Sequence, residues 1–273
     1  MDKEPYLSDA YPPQEIARQV ERLGVAKAHA DALTLLVLAV LAGAFISLGA
    51  LLFTVVVTES NIGFGPTRIL GGVSFCLGLI LVVVAGAELF TGNNLIAMAW
   101  ASRLIGTGQV VRNWLLAYIG NVVGCLGTVL LVLWADIASL GDGAVGEMAV
   151  RIASTKADLP IAQAFTRGIL CNALVCLAVW LAIGARTVTD KILSILFPIA
   201  AFVAIGFEHS IANWFFLPFG LALDVHGAVS IAAVGKNIVV VTAGNVAGGT
   251  LLVAGVYWVA YLRGERMRKD RSA

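Results

Sequence analysis

Glu208 and His209 stand side by side inside an apolar stretch that runs from Ile192 to Phe219. An ionisable side chain at that depth is expensive in hydrocarbon unless it faces a polar interior. Histidine can donate a hydrogen bond or, near its ordinary pKa of about 6.5, a proton. His209 is therefore read as facing a pathway through the protein. A second polar break, Glu88-Leu89-Phe90-Thr91-Gly92-Asn93, interrupts an earlier apolar segment. Gly86, Gly92 and Gly206 permit unusual backbone there, and Thr91, Asn93, Ser210 and Asn213 can bond the backbone groups that a broken helix frees. Half-helices beginning near Asn94 and Ile211 would aim their N-termini at the centre. Each such end carries about half a positive charge, so the favoured solute is a small monovalent anion.

Each of these residues also has a plainer reading. Glu88, Glu208 and Asn213 fit a structural role, holding the breaks together, because carboxylates lining an anion path would oppose the anion. His209 could be a packed core histidine, although His29 and His226 sit at or beyond the segment edges and leave it alone in the membrane. Asn121, Asn172 and Asn245 could be polar groups that pack helices together. Lys156 falls in a stretch with Asp136, Asp142, Glu147 and Asp158, read as a loop. There it is either a solvated lysine or an anion-attracting residue at a mouth.

The elements that must carry these residues are apolar. Mean hydropathy is +0.91, and 59% of the 273 residues are hydrophobic against 13% charged. That composition describes an all-α polytopic membrane protein. Six segments are expected to span: Ala32–Thr58, Ile69–Ala101, Val110–Ala135, Ile161–Gly184, Lys191–Gly220 and Asn237–Leu262, with the second and fifth broken. The tryptophans fall near segment ends or breaks, as interfacial aromatics do. Gln14 to His29 has helical spacing and predicts a surface helix on the membrane or on the bundle. Residues 1–31 and the basic tail 263–273 are expected to flank a pore domain over 32–262. With the N-terminus inside, only Arg68, Arg151, Lys156, Arg167 and Lys236 of the 18 Lys and Arg lie outside. Both termini are therefore expected in the cytoplasm. Met1 to Asp31 is polar and does not have the form of a cleavable signal peptide.

Gly120-Asn121-Val122-Val123-Gly124 in the third segment matches Gly244-Asn245-Val246-Ala247-Gly248 in the sixth, and a polar break precedes each at similar spacing. Two three-helix halves thus correspond. Three is odd, so the second half enters from the opposite side, which predicts a 3+3 inverted repeat.

Other function classes find little support. A net charge of +1 offers no basic face for nucleic acid. Cys76, Cys125, Cys171 and Cys176 all lie in apolar segments and read as small buried hydrophobes. There is no nucleophile–base pair and no metal cluster, so no enzyme, cofactor or metal is expected. A bis-histidine haem within the chain would need a second intramembrane histidine. A water- or polyol-type facilitator would show Asn-Pro-Ala at both breaks, and neither has it.

Ala87-Glu88-Leu89-Phe90-Thr91-Gly92-Asn93, Gly168-Ile169-Leu170-Cys171-Asn172 with Val175-Cys176-Leu177-Ala178, and Gly206-Phe207-Glu208-His209-Ser210-Ile211-Ala212-Asn213 resemble the formate/nitrite transporter family. The resemblance covers nearly the whole chain. It implies an aquaporin-like fold, a homopentamer with a pore in each protomer, and a bacterial cytoplasmic (inner) membrane location. It implies Thr91 and His209 as the central pair, and Phe75, Leu79, Leu89, Phe90, Val175 and Phe202 as apolar constrictions. Lys156, Asn172 and Asn245 would be polar residues of vestibule and pore. The implied substrate is formate, with nitrite, hydrosulfide, acetate and lactate as alternatives. The stretch from Leu221 to Lys236 is shorter than in formate-type members, which leaves formate, nitrite and hydrosulfide open. Passage would be proton-linked: Lys156 draws the anion in, His209 donates a hydrogen bond or proton, and Thr91 orients the ring.

Overall fold

Six helices long and apolar enough to cross a membrane organise the computed structural model, which describes residues 10–272 and side chains as far as Met267. Lys3 of the charge count lies outside the described residues, as do the side chains of Arg268, Lys269 and Arg271.

Helix α1 (Pro13–Ala28) comes first, and α2 (Ala32–Val57) starts where Asp31 accepts the Thr34 backbone N–H at 3.0 Å. That bond holds the Asp31 carboxyl below its ordinary value. α3 (Phe64–Ile80) runs on through a π-helical turn to Gly86. After an irregular stretch come a 3-10 turn (Gly92–Ile96) and a short α4 (Ala97–Ala101). α5 (Thr107–Trp134), α6 (Ala144–Ala157), α7 (Ile161–Gly184), α8 (Val188–Ile205) and α9 (Ser210–Leu223) follow. α10 (Ile231–Ala247) continues in largely π-helical geometry to Leu262 and into α11 (Arg263–Ser272).

Two differences from the sequence expectation have physical causes. The half-helix foreseen from Asn94 is a 3-10 turn with only five α-helical residues behind it. Asn93 and Asn94 turn their amides inward to Glu88, Asn113 and Phe90, and such side-chain bonds compete with regular helix. Lys156 lies on α6 and not in a loop. The sequence places Val145, Ala149, Ala153 and Ala157 four apart, and all four are buried, the last three stacked against α9 around Gly220 and Leu217.

The faces turned away from the core carry large exposed apolar side chains, among them Leu33, Leu115, Leu131, Val239 and Leu251. In water that would be a liability; in lipid it is the required surface. Between the spans, close backbone contact replaces hydrophobic driving force. A Cβ at Gly124 would overlap the Val40 carbonyl of α2, and one at Gly248 would overlap the Ile169 carbonyl of α7. Gly124→Val should therefore push α2 and α5 apart and cost about 3 kcal/mol or more. A fall in the melting temperature of the detergent-solubilised protein would register it; an unchanged melting curve would refute the close packing.

α1 lays Ile16, Ala17 and Val20 against Trp180, Val253 and Leu262. Its polar side meets α11: Arg18 Nη2 bonds Glu265 Oε1 at 2.6 Å, and Arg266 Nη2 bonds Glu21 Oε2 at 2.9 Å.

Candidate functional site

The chain leaves helical geometry at two glycines in the left-handed region, Gly86 (φ +87°) and Gly206 (φ +86°), where a side chain would be strained. The freed backbone groups that follow are taken up by two asparagines. Asn121 Oδ1 accepts the Phe90 N–H at 2.9 Å, while its amide donates to the carbonyls of Ala39 (2.7 Å) and Glu88 (2.9 Å). Asn245 Oδ1 accepts the Ser210 N–H at 2.8 Å, and its amide donates to Gly168 (2.8 Å) and Glu208 (2.9 Å). Both asparagines are fully buried with every one of these bonds made, as polar groups at such depth require.

A second pair of networks surrounds the two glutamates. Lys27 Nζ bonds Glu88 Oε2 at 2.9 Å, and Asn93 donates to Glu88 (2.8 Å) and to Asn113 (3.0 Å), which reaches the Lys27 carbonyl (3.0 Å). Lys156 Nζ bonds Glu208 Oε1 at 2.9 Å, and Asn213 donates to Glu208 (2.7 Å) and to Asn237 (2.8 Å), which reaches the Lys156 carbonyl (2.8 Å). Lys156 also stands 5.2 Å from the centre of the Phe216 ring. Each carboxylate thus has a lysine and an asparagine, so neither presents a bare negative charge.

His209 is the N-cap of α9. Its Nδ1 accepts the Ala212 backbone N–H at 3.1 Å. A backbone N–H can only donate, so the proton of the neutral ring sits on Nε2. Nε2 lies 2.9 Å from Thr91 Oγ1, which accepts from it. Both residues are buried, and the ring stacks on Phe202 at 6.0 Å.

Two cavities approach this pair. One of about 860 Å³ is lined by Lys27, Leu79, Glu88, Leu89, Arg186 and Lys191, among others. The other, about 260 Å³, is lined by Arg68, Phe75, Lys156, Phe202, Glu208, His209 and Phe216, with others. The first reaches the C-terminal ends of α3 and α7 and the second their N-terminal parts, so they enter from opposite ends. Phe75 and Leu79, one turn apart on α3, face different cavities. Phe75 packs edge-on to Phe202 at 5.7 Å, closing the smaller cavity with an apolar floor.

Of the residues expected at constrictions, Phe75 and Phe202 line the smaller cavity and Leu79 and Leu89 the larger. Phe90 and Val175 are buried and line neither; the Phe90 ring stacks edge-on against Tyr118 of α5 at 5.0 Å. Of the polar trio, Lys156 lines a cavity, whereas Asn245 and Asn172 tie helices together. Asn172 bonds Asn94 Oδ1 and the Asn245 carbonyl, both at 2.7 Å. Sequence reasoning passed over Lys27, counting it only as an inside charge, and over Asn113 and Asn237. The signal was available: Lys27 precedes Ala39 by the same interval that separates Lys156 from Gly168.

A family model described as formate/nitrite transporter matches residues 14–259. The chain is 40% identical to the formate channel FocA of Escherichia coli over 269 residues, covering 92% of this chain and 94% of that protein. Its structure is similar to that of a pentameric formate channel with formate bound, with a TM-score of 0.80, 37% identity, and coverage of 85% of this chain and 98% of that one. It is also similar to an FNT family ion channel, with a TM-score of 0.83, 30% identity, and coverage of 90% and 98%. The six apolar spans, the helical fold around them and these likenesses agree: the chain belongs to the formate/nitrite transporter family.

Proposed function

We propose that this protein is a multi-pass membrane channel for small monovalent anions, formate foremost, with one pathway in each protomer of a pentamer. The observation that carries the reading is the Thr91–His209 hydrogen bond, set in dry packing between two cavities that enter from opposite ends. The relatives named as formate channels support the choice of solute, and the pentameric relative supports the assembly.

In this reading the cationic walls of the cavities collect the anion: Arg186 and Lys191 with Lys27 on one side, the arginines near Lys156 on the other. Lys27 and Lys156 are each held by a glutamate, so their main work is to keep those carboxylates from repelling the solute. A formate ion cannot enter the apolar packing bare. His209 offers it the Nε2–H now held by Thr91. Transfer of a proton, as opposed to a hydrogen bond, needs a second proton on the ring. Nδ1 can take one only by releasing the Ala212 N–H. Proton-linked passage is thereby coupled to loosening of the first turn of α9.

The same reading takes the chain as an inverted repeat, aquaporin-like, broken in its second and fifth spans. The matched bonding of Asn121 with Asn245, and of Lys27–Glu88–Asn93–Asn113 with Lys156–Glu208–Asn213–Asn237, supports it. It also enlarges each half to a surface helix plus three spans, α1 to α5 and α6 to α10. The Lys and Arg bias supports cytoplasmic termini flanking the 32–262 pore domain, in a bacterial inner membrane.

Uptake of labelled formate into proteoliposomes, with nitrite, hydrosulfide and lactate as competitors at an acidic and a neutral pH, is the test. Formate uptake blocked best by formate and raised by acid is expected. Stronger block by nitrite or hydrosulfide would move the substrate, and absence of uptake of any anion would overturn the channel reading.

A further inference from the structure

The smaller cavity has four cationic side chains on its wall, Arg68, Arg151, Lys156 and Arg167, against one carboxylate, Glu208. Lys156 and Glu208 neutralise each other at 2.9 Å. None of the three arginines takes part in an ion pair among the described residues.

Two of them converge on one point. Arg68 donates from Nε to the Ala204 carbonyl (2.9 Å) and from Nη2 to that of Val203 (2.6 Å). Arg167 reaches the Gly206 carbonyl from Nη1 at 3.5 Å, and a Cβ on Gly206 would stand 3.3 Å from Arg68 Nη2. The C-terminal end of α8 favours a cation, and Arg68 already satisfies its carbonyls. A second guanidinium beside the first adds repulsion, over an apolar floor of Phe53, Phe75, Phe202 and Phe216 that weakens screening. Arg68 Nη1 and Arg167 Nε and Nη2 have no protein acceptor among the described residues.

We propose that this cavity binds a small dianion, of the class of inorganic sulfate or a short dicarboxylate, between Arg68 and Arg167 with Arg151 at the rim, and that the bound dianion blocks entry of the transported monoanion. The Nε/Nη2 fork of Arg167 and the remaining Nη1 of Arg68 match the oxygens of one dianion held between two guanidinium charges, and a monoanion would leave one charge unmet. A cavity of about 260 Å³ holds such an ion with several waters. The ion does not pass, because it would have to shed two charges at the apolar floor. The blocking half of this proposal rests on the channel reading above; the binding half does not.

The test is equilibrium binding of labelled sulfate to the purified full-length protein in detergent at fixed ionic strength. Saturable binding is expected, weakened roughly tenfold or more in Arg167→Leu, since charge-assisted bonds are worth about 1.5–3 kcal/mol. Arg167→Lys should fall between, keeping the charge and losing the fork. If Arg167→Leu does not assemble, Arg151→Gln, exposed on α6, should still weaken binding severalfold. No saturable binding to the unaltered protein, or equal binding by these variants, overturns the site. In proteoliposomes, external sulfate should suppress formate uptake relative to chloride at equal ionic strength. Sulfate binding without suppression overturns the block, whereas sulfate binding with no formate uptake at all counts against the channel reading and leaves the site standing.

Discussion

Lys156→Met is expected to destabilise the protein by about 3–5 kcal/mol, the usual cost of breaking a buried ion pair from one side. Glu208 is 4% exposed, and its Oε1 meets Lys156 Nζ at 2.9 Å. Without the lysine, only Asn213 bonds the carboxylate side chain, at 2.7 Å, and the charge stays buried. Methionine fills the volume, so the loss is electrostatic. The matched pair on the other side is wetter, with 32% of the Lys27 side chain exposed against 16% of Lys156, so the effect there is smaller. Thermal unfolding in detergent measures the change. Glu208→Gln added to Lys156→Met should recover most of it, because the uncompensated charge is gone. If the single variant melts like the unaltered protein, the pair is not structural and Lys156 works on the solute alone.

The second large effect belongs to His209. His209→Phe removes the Nε2–H that Thr91 holds and the Nδ1 that caps α9. Losing a donor to an anion costs about 1.5–3 kcal/mol, so formate uptake should fall roughly tenfold to a hundredfold. What remains should lose its dependence on pH, since no ring is left to titrate. The lost cap alone costs about 1 kcal/mol and could obscure the result by weakening the fold. His209→Asn separates the two effects: asparagine caps a helix well and donates, yet it does not titrate. The ratio of uptake at acidic and neutral pH should collapse toward unity in both variants. A preserved pH profile in His209→Asn would sink the proton relay and leave hydrogen bonding as the ring's whole contribution.

The spans were legible because hydropathy is a long-range average: Ile161–Gly184 was set by composition alone and appears unchanged. The breaks were located by their polar residues, yet their shape was not. Asn94 looked like a helix start, and only the packed amides of Asn93 and Asn172 explain why a 3-10 turn stands there. α6 was misread because a short helix rich in Ala and polar residues looks like a loop until its alanine edge finds Gly220. Lys27 escaped notice for a related reason. Its partner Glu88 is 61 residues away, and nothing local marks a lysine that will be drawn beneath a helix end. Asn245 and Asn172 carried two readings in the sequence, packing group and pore residue, and their bonds to backbone and to Asn94 show them bracing helices.

The grip of α11 on α1 has a consequence for how the molecule is made. Arg18 and Glu265 lie 247 positions apart, so this contact forms only after all the residues between them have been synthesised. α6, by contrast, arises midway, and Lys156 meets Glu208 after only 52 further residues. The ion pair of the smaller cavity can therefore form while the ribosome is still at work. The other cavity is walled in part by α1, whose polar side waits for α11, so a helix made early is fixed late.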